Sequence, residues 1–202
     1  MFKSNTLLFL CMIDKQGFAE LRKQVEEYDV LREHTIKDSR DALKLSKAAI
    51  YSLHRNELST AQKQLSDAKK ILDTIRNKCN KEPTLLLTGT YAEALEEYAE
   101  AQCYYHYLTQ KKIPLARELG LDPETYLAGL CDTVGELVRK AVNSVIQGDN
   151  ATALEIKEVV GALYEELMLF DFRNTPVRRK FDSIKYSLEK LEELALKIKM
   201  KE

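Results

Sequence analysis

Apolar residues in this chain recur at every third and fourth position, and nowhere along it does hydrophobicity alternate with period two. From Asp14 to Arg55 the steps run through Phe18, Leu21, Val25, Tyr28 and Leu31, then Ile36, Leu43, Ile50 and Leu53. That spacing lines one stripe of an α-helix, whereas a half-buried strand needs strict alternation. The stretch therefore predicts one long helix or two abutting ones. A second stripe, Leu58, Ala61, Leu65, Ala68, Leu72 and Ile75, stops near "NKEP" at Pro83. The last segment opens at Pro176, where a first helical turn tolerates proline. It carries Val177, Phe181, Ile184, Leu188, Leu191, Ala195 and Ile198 as a three-four seam, the usual mark of a core or a subunit interface.

Boundary signals fill in the middle. Thr90 and Glu93 have the spacing of a capping box, starting a helix that runs to about Gln110. In "GLDPETY", Asp122 is the predicted N-cap and Pro123 the first helical residue, after a short helical turn within 115–119. That helix ends at Gly148, and "GDN" opens another that ends near Asp171. The expected fold is an all-α bundle of six or seven helices in one domain spanning 1–202, with about the first 12 residues as an extension. Only 7 Gly and 4 Pro in 202 residues agree with it.

Charge favours no partner. The net charge is −1, so a nucleic-acid contact has to come from a local patch or an assembled surface. Cys11, Cys79, Cys103 and Cys131 stand far apart and form no zinc spacing with the three histidines, so they read as reduced thiols. The apolar run "TLLFLCMI" (6–13) is too short to span a bilayer and lacks a clear cleavage site. It reads as a packing segment, or as residues upstream of a true start at Met12, ahead of the alternative of a weak signal peptide, in a cytoplasmic protein.

The acids are the chemically suggestive feature. At about 100° per residue, Glu93, Glu97, Glu100 and Tyr104 share one edge of the helix begun near Thr90, beside the face of Tyr91, Leu95, Tyr98, Gln102 and Tyr105. On the helix from Pro123, Leu127, Leu130, Val134, Leu137, Val138, Ala141 and Val145 form one face, with Asp132, Glu136, Arg139 and Asn143 opposite and Gly129 below them. Each helix thus presents a carboxylate pair. Like charges at these spacings cost only about 0.2–0.5 kcal/mol per pair, so a solvated surface could carry them. Alternatively, two helices bring four oxygen donors around a hard cation such as Mg²⁺ or Mn²⁺, which can polarise a phosphoryl oxygen and activate water.

The segments "EEYAEAQCYYHYL", "YLAGLCDTVGELVRKAVNSVIQGD" and "FRNTPVRRKFDSIKYSLEKLEELALKIKMKE" resemble the translin/Trax family, and "DSRDALKLSKAAIYSLHR" is similar to its Trax branch. The resemblance covers most of the chain beyond about residue 38. It implies a seven-helix all-α subunit that binds single-stranded nucleic acid and assembles into a closed shell, usually an octamer. In the Trax branch an E-x-x-E and a D-x-x-x-E motif supply the acids of a Mg²⁺-dependent endoribonuclease. Here those motifs fall on Glu97, Glu100, Asp132 and Glu136. The resemblance further implies that Arg139 contacts the RNA phosphates. Arg40 and Lys47, seven apart on one helical face, and Arg55 beyond them offer an electrostatic track for RNA. His54 and His106 read as packing or hydrogen-bonding residues. The expectation is a metal-dependent endoribonuclease in a homo-octamer acting on single-stranded RNA, with single-stranded DNA and short duplex RNA as alternatives. The competing readings are a noncatalytic, translin-like binding assembly and a purely structural helical partner.

Overall fold

The computed structural model describes residues 13–200, so the expectations about the apolar run ahead of Ile13 and a start at Met12 lie outside the described residues. Among the described residues there are seven α-helices and no strand. They are α1 (Lys15–His54), α2 (Leu58–Lys78), α3 (Gly89–Gln110), α4 (Ala116–Leu119), α5 (Pro123–Ile146), α6 (Asn150–Met168) and α7 (Pro176–Lys199). Two short 3₁₀ turns, Cys79–Lys81 and Pro83–Leu87, join α2 to α3.

The first stripe forms one continuous helix. Asp14 caps it by accepting from the backbone N–H groups of Gln16 and Gly17 at 3.1 and 3.0 Å. Asn56 in the left-handed region turns the chain into α2. Asp122 caps α5 as expected, accepting from Thr125 N at 3.0 Å, and Asp149 caps α6 through Thr152 N at 3.0 Å. The expected capping box at Thr90 and Glu93 does not form. The preceding 3₁₀ turn starts the helix two residues earlier, so Thr88 is the N-cap, Thr90 lies inside the helix and Glu93 faces solvent.

Layering follows the stripes. The second half of α1 packs on α2 and α3, α3 on α5, and α5 on α6 and α7. Leu53, Leu72, Ile75, Tyr104, Leu137, Ile156 and Leu191 are among the residues that fill the core. The α7 seam is core rather than an exposed interface, since Val177, Phe181, Ile184, Leu191, Ala195 and Ile198 are all buried. The first half of α1 is different: Phe18, Leu21 and Val25 are each more than half exposed, and the buried positions begin at Thr35. No helix among the described residues is long and apolar enough to cross a membrane.

Candidate functional site

The acids come together because α3 and α5 touch backbone to backbone. A Cβ placed on Gly129 would stand 2.4 Å from the Glu96 carbonyl oxygen, 2.7 Å from Ala99 Cβ and 2.9 Å from Glu100 N, so only glycine admits this crossing. One turn on, the buried Thr133 hydroxyl donates to Gly129 O at 2.9 Å and lies 3.4 Å from Glu100 O. Helix α5 is therefore packed on two faces. The side carrying Asp132 and Glu136, expected to be simply polar, is half-buried against α3.

Three helices enclose a cleft of about 240 Å³, lined by Lys47, Ile50 and Tyr51 from α1, Glu97 and Glu100 from α3, and Glu136 and Arg139 from α5. Glu97 is only 17% exposed and faces Lys47 Nζ at 3.7 Å. Burial raises its pKa, the Lys47 charge opposes that, and Asp132 and Glu136 add to it. Glu100 is pushed up to about 8, chiefly by burial and then by the charges of Glu97, Asp132 and Glu136, with Lys180 partly offsetting them. Four carboxylates therefore share one electrostatic site although the two pairs lie on different helices.

Each of the other acids has a protein partner. Glu136, 22% exposed, accepts a hydrogen bond from His54 Nε2 and has Arg139 NH1 at 3.8 Å. His54 Nδ1 lies 3.2 Å from the Tyr104 hydroxyl, and the two rings stand 5.1 Å apart. Burial pushes the Tyr104 phenol up, so it remains a proton donor. With Tyr104 donating to Nδ1, the imidazole keeps its proton on Nε2 for Glu136. Asp132 stands at the edge of the site, where Lys180 from α7 reaches both Asp132 Oδ2 and Glu96 Oε2 at 2.6 Å. Burial alone lowers the Lys180 pKa, but its hydrogen bonds to Asp132 and Glu96 more than reverse this.

Of the expected nucleic-acid contacts, Lys47 and Arg139 line the cleft. Arg40 is exposed two turns earlier on α1. Arg55 points elsewhere: its guanidinium is bound to Glu57 at 2.7 and 3.0 Å and to Ser52 Oγ at 3.3 Å. His106 lies away from the acids, edge-on to Tyr105. Lys180, Glu96, His54 and Tyr51 were not read as site residues from sequence. Tyr51 and His54 could have been, since they follow Lys47 by four and seven positions on the same helical edge. Nothing in the "RRK" run singles out Lys180.

The donor chemistry fits a hard cation: four carboxylates, one of them held neutral at ordinary pH by burial among the others, are relieved by a divalent ion. The present side-chain arrangement is not a finished coordination shell. Among the described residues no three acids, histidines or cysteines stand close enough to hold a metal, because Lys47, His54 and Lys180 draw Glu97, Glu136 and Asp132 toward themselves.

The sequence and the fold both have known counterparts. Translin-associated protein X of Mus musculus is 25% identical over 228 aligned positions, covering 92% of this chain and 78% of that protein. Translin of Gallus gallus is 39% identical over 80 residues, a match that takes in 39% of this chain and only 35% of that protein's length. The crystal structure of apo-NeC3PO superposes with a TM-score of 0.85 at 28% identity, covering 91% of this chain and 98% of that one. AfC3PO in complex with duplex RNA gives 0.81 at 26% identity, covering 91% and 97%. The Translin family model matches residues 30–202, from the buried half of α1 through the whole of the carboxylate site, and this chain is a member of the translin family.

Proposed function

We infer that this chain is a metal-dependent endoribonuclease that cleaves single-stranded RNA, working as a homo-oligomer, most simply an octameric shell. The observation that carries the reading is the Glu100 carboxyl, half-buried in the cleft with three further acids around it and its pKa raised to about 8. A purely structural site has no use for four converging carboxylates, and perturbed groups in a cleft are functional-site candidates. The relatedness to apo-NeC3PO and to AfC3PO, the latter bound to duplex RNA, supports a nucleic-acid ligand and assembly.

Glu97, Glu100, Asp132 and Glu136 would hold Mg²⁺, or Mn²⁺ in its place. When bound, such an ion supplies Lewis-acid polarisation of a phosphoryl oxygen and a more acidic water. The chain's own residues do the rest. Arg139 and Lys47 bind phosphate oxygens at the cleft mouth. His54 fixes the Glu136 carboxylate against Tyr104, and Lys180 holds Asp132 through one carboxylate oxygen, Oδ2.

A second reading has its own support. Lys47, His54 and Lys180 already partner three of the acids, as a noncatalytic nucleic-acid-binding assembly would require. Labelled single-stranded RNA incubated with Mg²⁺ or with EDTA separates the two. The nuclease reading expects cleavage in Mg²⁺ alone, lost in Asp132→Ala while RNA binding and particle size by light scattering persist. Parent-rate cleavage by Asp132→Ala would overturn the catalytic assignment, and a stable monomer at micromolar concentration would overturn the shell.

A further inference from the structure

Tyr51 is anomalous among the residues around the acids. Its neighbour Ile50 is buried at 5% exposure, yet Tyr51 itself is 54% exposed. The other cleft residues beside it are charged, namely Lys47, Glu97, Glu100, Glu136 and Arg139. An aromatic ring turned toward charged groups and solvent forgoes the burial that normally justifies its size. The Arg139 guanidinium lies 5.9 Å from the ring centroid, and its ion pair with Glu136, at 3.8 Å, is too long to be a hydrogen bond. Its flat donor fork is therefore available to a phosphate, while the phenol it stands over is more than half exposed to solvent. Lys47 stands one turn before Tyr51 on the same helix. At about 240 Å³ the cleft is smaller than the roughly 300–1,000 Å³ of sites that enclose drug-sized ligands, which suits one unit of a polymer that continues outside.

We propose that Tyr51 is a stacking platform for one unpaired nucleobase, next to a phosphate held by Arg139 and Lys47. This rests on the nucleic-acid reading above and deepens it by naming a base-binding subsite. A base paired within a duplex cannot turn its face onto a side chain, whereas an unpaired one stacks on a phenol whatever its identity. The platform therefore selects for single strands without selecting a sequence.

Binding is measured in EDTA, which prevents cleavage, with a labelled oligoribonucleotide, the same oligonucleotide carrying a central abasic position, and its blunt duplex. Tyr51→Ala is expected to weaken single-strand binding about 5- to 150-fold. Tyr51→Phe keeps the parent affinity, the duplex is bound equally by all three proteins, and Tyr51→Ala no longer distinguishes the abasic strand from the intact one. The salt dependence of Tyr51→Ala stays at the parent slope because the phosphate contacts remain. Unchanged single-strand affinity in Tyr51→Ala overturns the platform alone, as does an equal loss on the duplex. A reduced salt slope would mean that Tyr51 acts only by holding Arg139, and overturns it too. A parent protein that binds none of the three ligands overturns the nucleic-acid reading and the platform with it.

Discussion

Gly129→Ala tests the crossing on which the whole site depends. The added methyl would meet Glu96 O at 2.4 Å and Glu100 N at 2.9 Å, both backbone atoms that no rotamer change can move, as well as Ala99 Cβ at 2.7 Å. Ordinary contact between carbon atoms is about 3.5–4.0 Å, so α3 and α5 must part by roughly 1 Å at this point. Overpacking of this kind costs about 1–3 kcal/mol, and backbone neighbours place it at the upper end. Alanine returns about 1 kcal/mol in helix propensity. The net loss is about 2 kcal/mol, or roughly 4–8 °C in Tm for a chain of this size. Gly135→Ala on the same helix is the control, because its Cβ would meet nothing within 4 Å and the position is exposed. It should be neutral or stabilising by up to about 1 kcal/mol. Urea unfolding of both variants at one protein concentration decides the matter. Gly129→Ala as stable as Gly135→Ala would refute the close backbone contact. If the contact is real, Gly129→Ala should also lose RNA cleavage out of proportion to its stability, since the crossing sets the separation of the two carboxylate pairs.

Three further outcomes follow from the same geometry. The raised Glu100 pKa means that the unfolded chain releases this proton near its ordinary carboxyl value while the folded chain keeps it until about pH 8; the group therefore costs stability progressively as pH rises between those values. Glu100→Gln should accordingly raise Tm in EDTA by an amount that grows from about pH 5 to pH 8 and vanishes below the unfolded value, and a pH-independent difference would contradict the assignment. Lys180→Met should destabilise the protein by about 1–3 kcal/mol in denaturant titrations, because Asp132 and Glu96 lose the ammonium they share, and adding Glu96→Gln should restore part of it. Arg139→Ala should weaken RNA binding and reduce the slope of log affinity against log salt by about 1, whereas an unchanged slope would remove Arg139 from the phosphate contacts.

The helices were legible because burial on a helix is written at spacing three and four, and each capped start carried its own short signal at Asp14, Asp122 or Asp149. Thr90 misled because a capping box is a local pattern, while the register of α3 is set by the 3₁₀ turn before it. The acids could be grouped by helix but not joined across helices by spacing alone. Their meeting depends on how α3 and α5 cross, and the one local hint was a glycine in mid-helix, otherwise a costly choice. Lys180 was invisible for a different reason. Its role is set by what stands opposite in the folded chain, and its immediate neighbours Arg178 and Arg179 have the same charge.

Lys180 also arrives late. It follows Asp132 by 48 residues and Glu96 by 84, so a ribosome adding about 5–20 residues per second exposes Asp132 roughly 2–10 s before the lysine that partners it is made. Lys47 and His54, the partners of Glu97 and Glu136, are made earlier, so until Lys180 is made α3 and α5 can meet at Gly129 only with the Asp132 and Glu96 carboxylates still hydrated or screened by dissolved cations. The order of synthesis thus separates two events that the finished molecule presents together: the crossing is available first, and the pairing of Asp132 and Glu96 waits for the last helix.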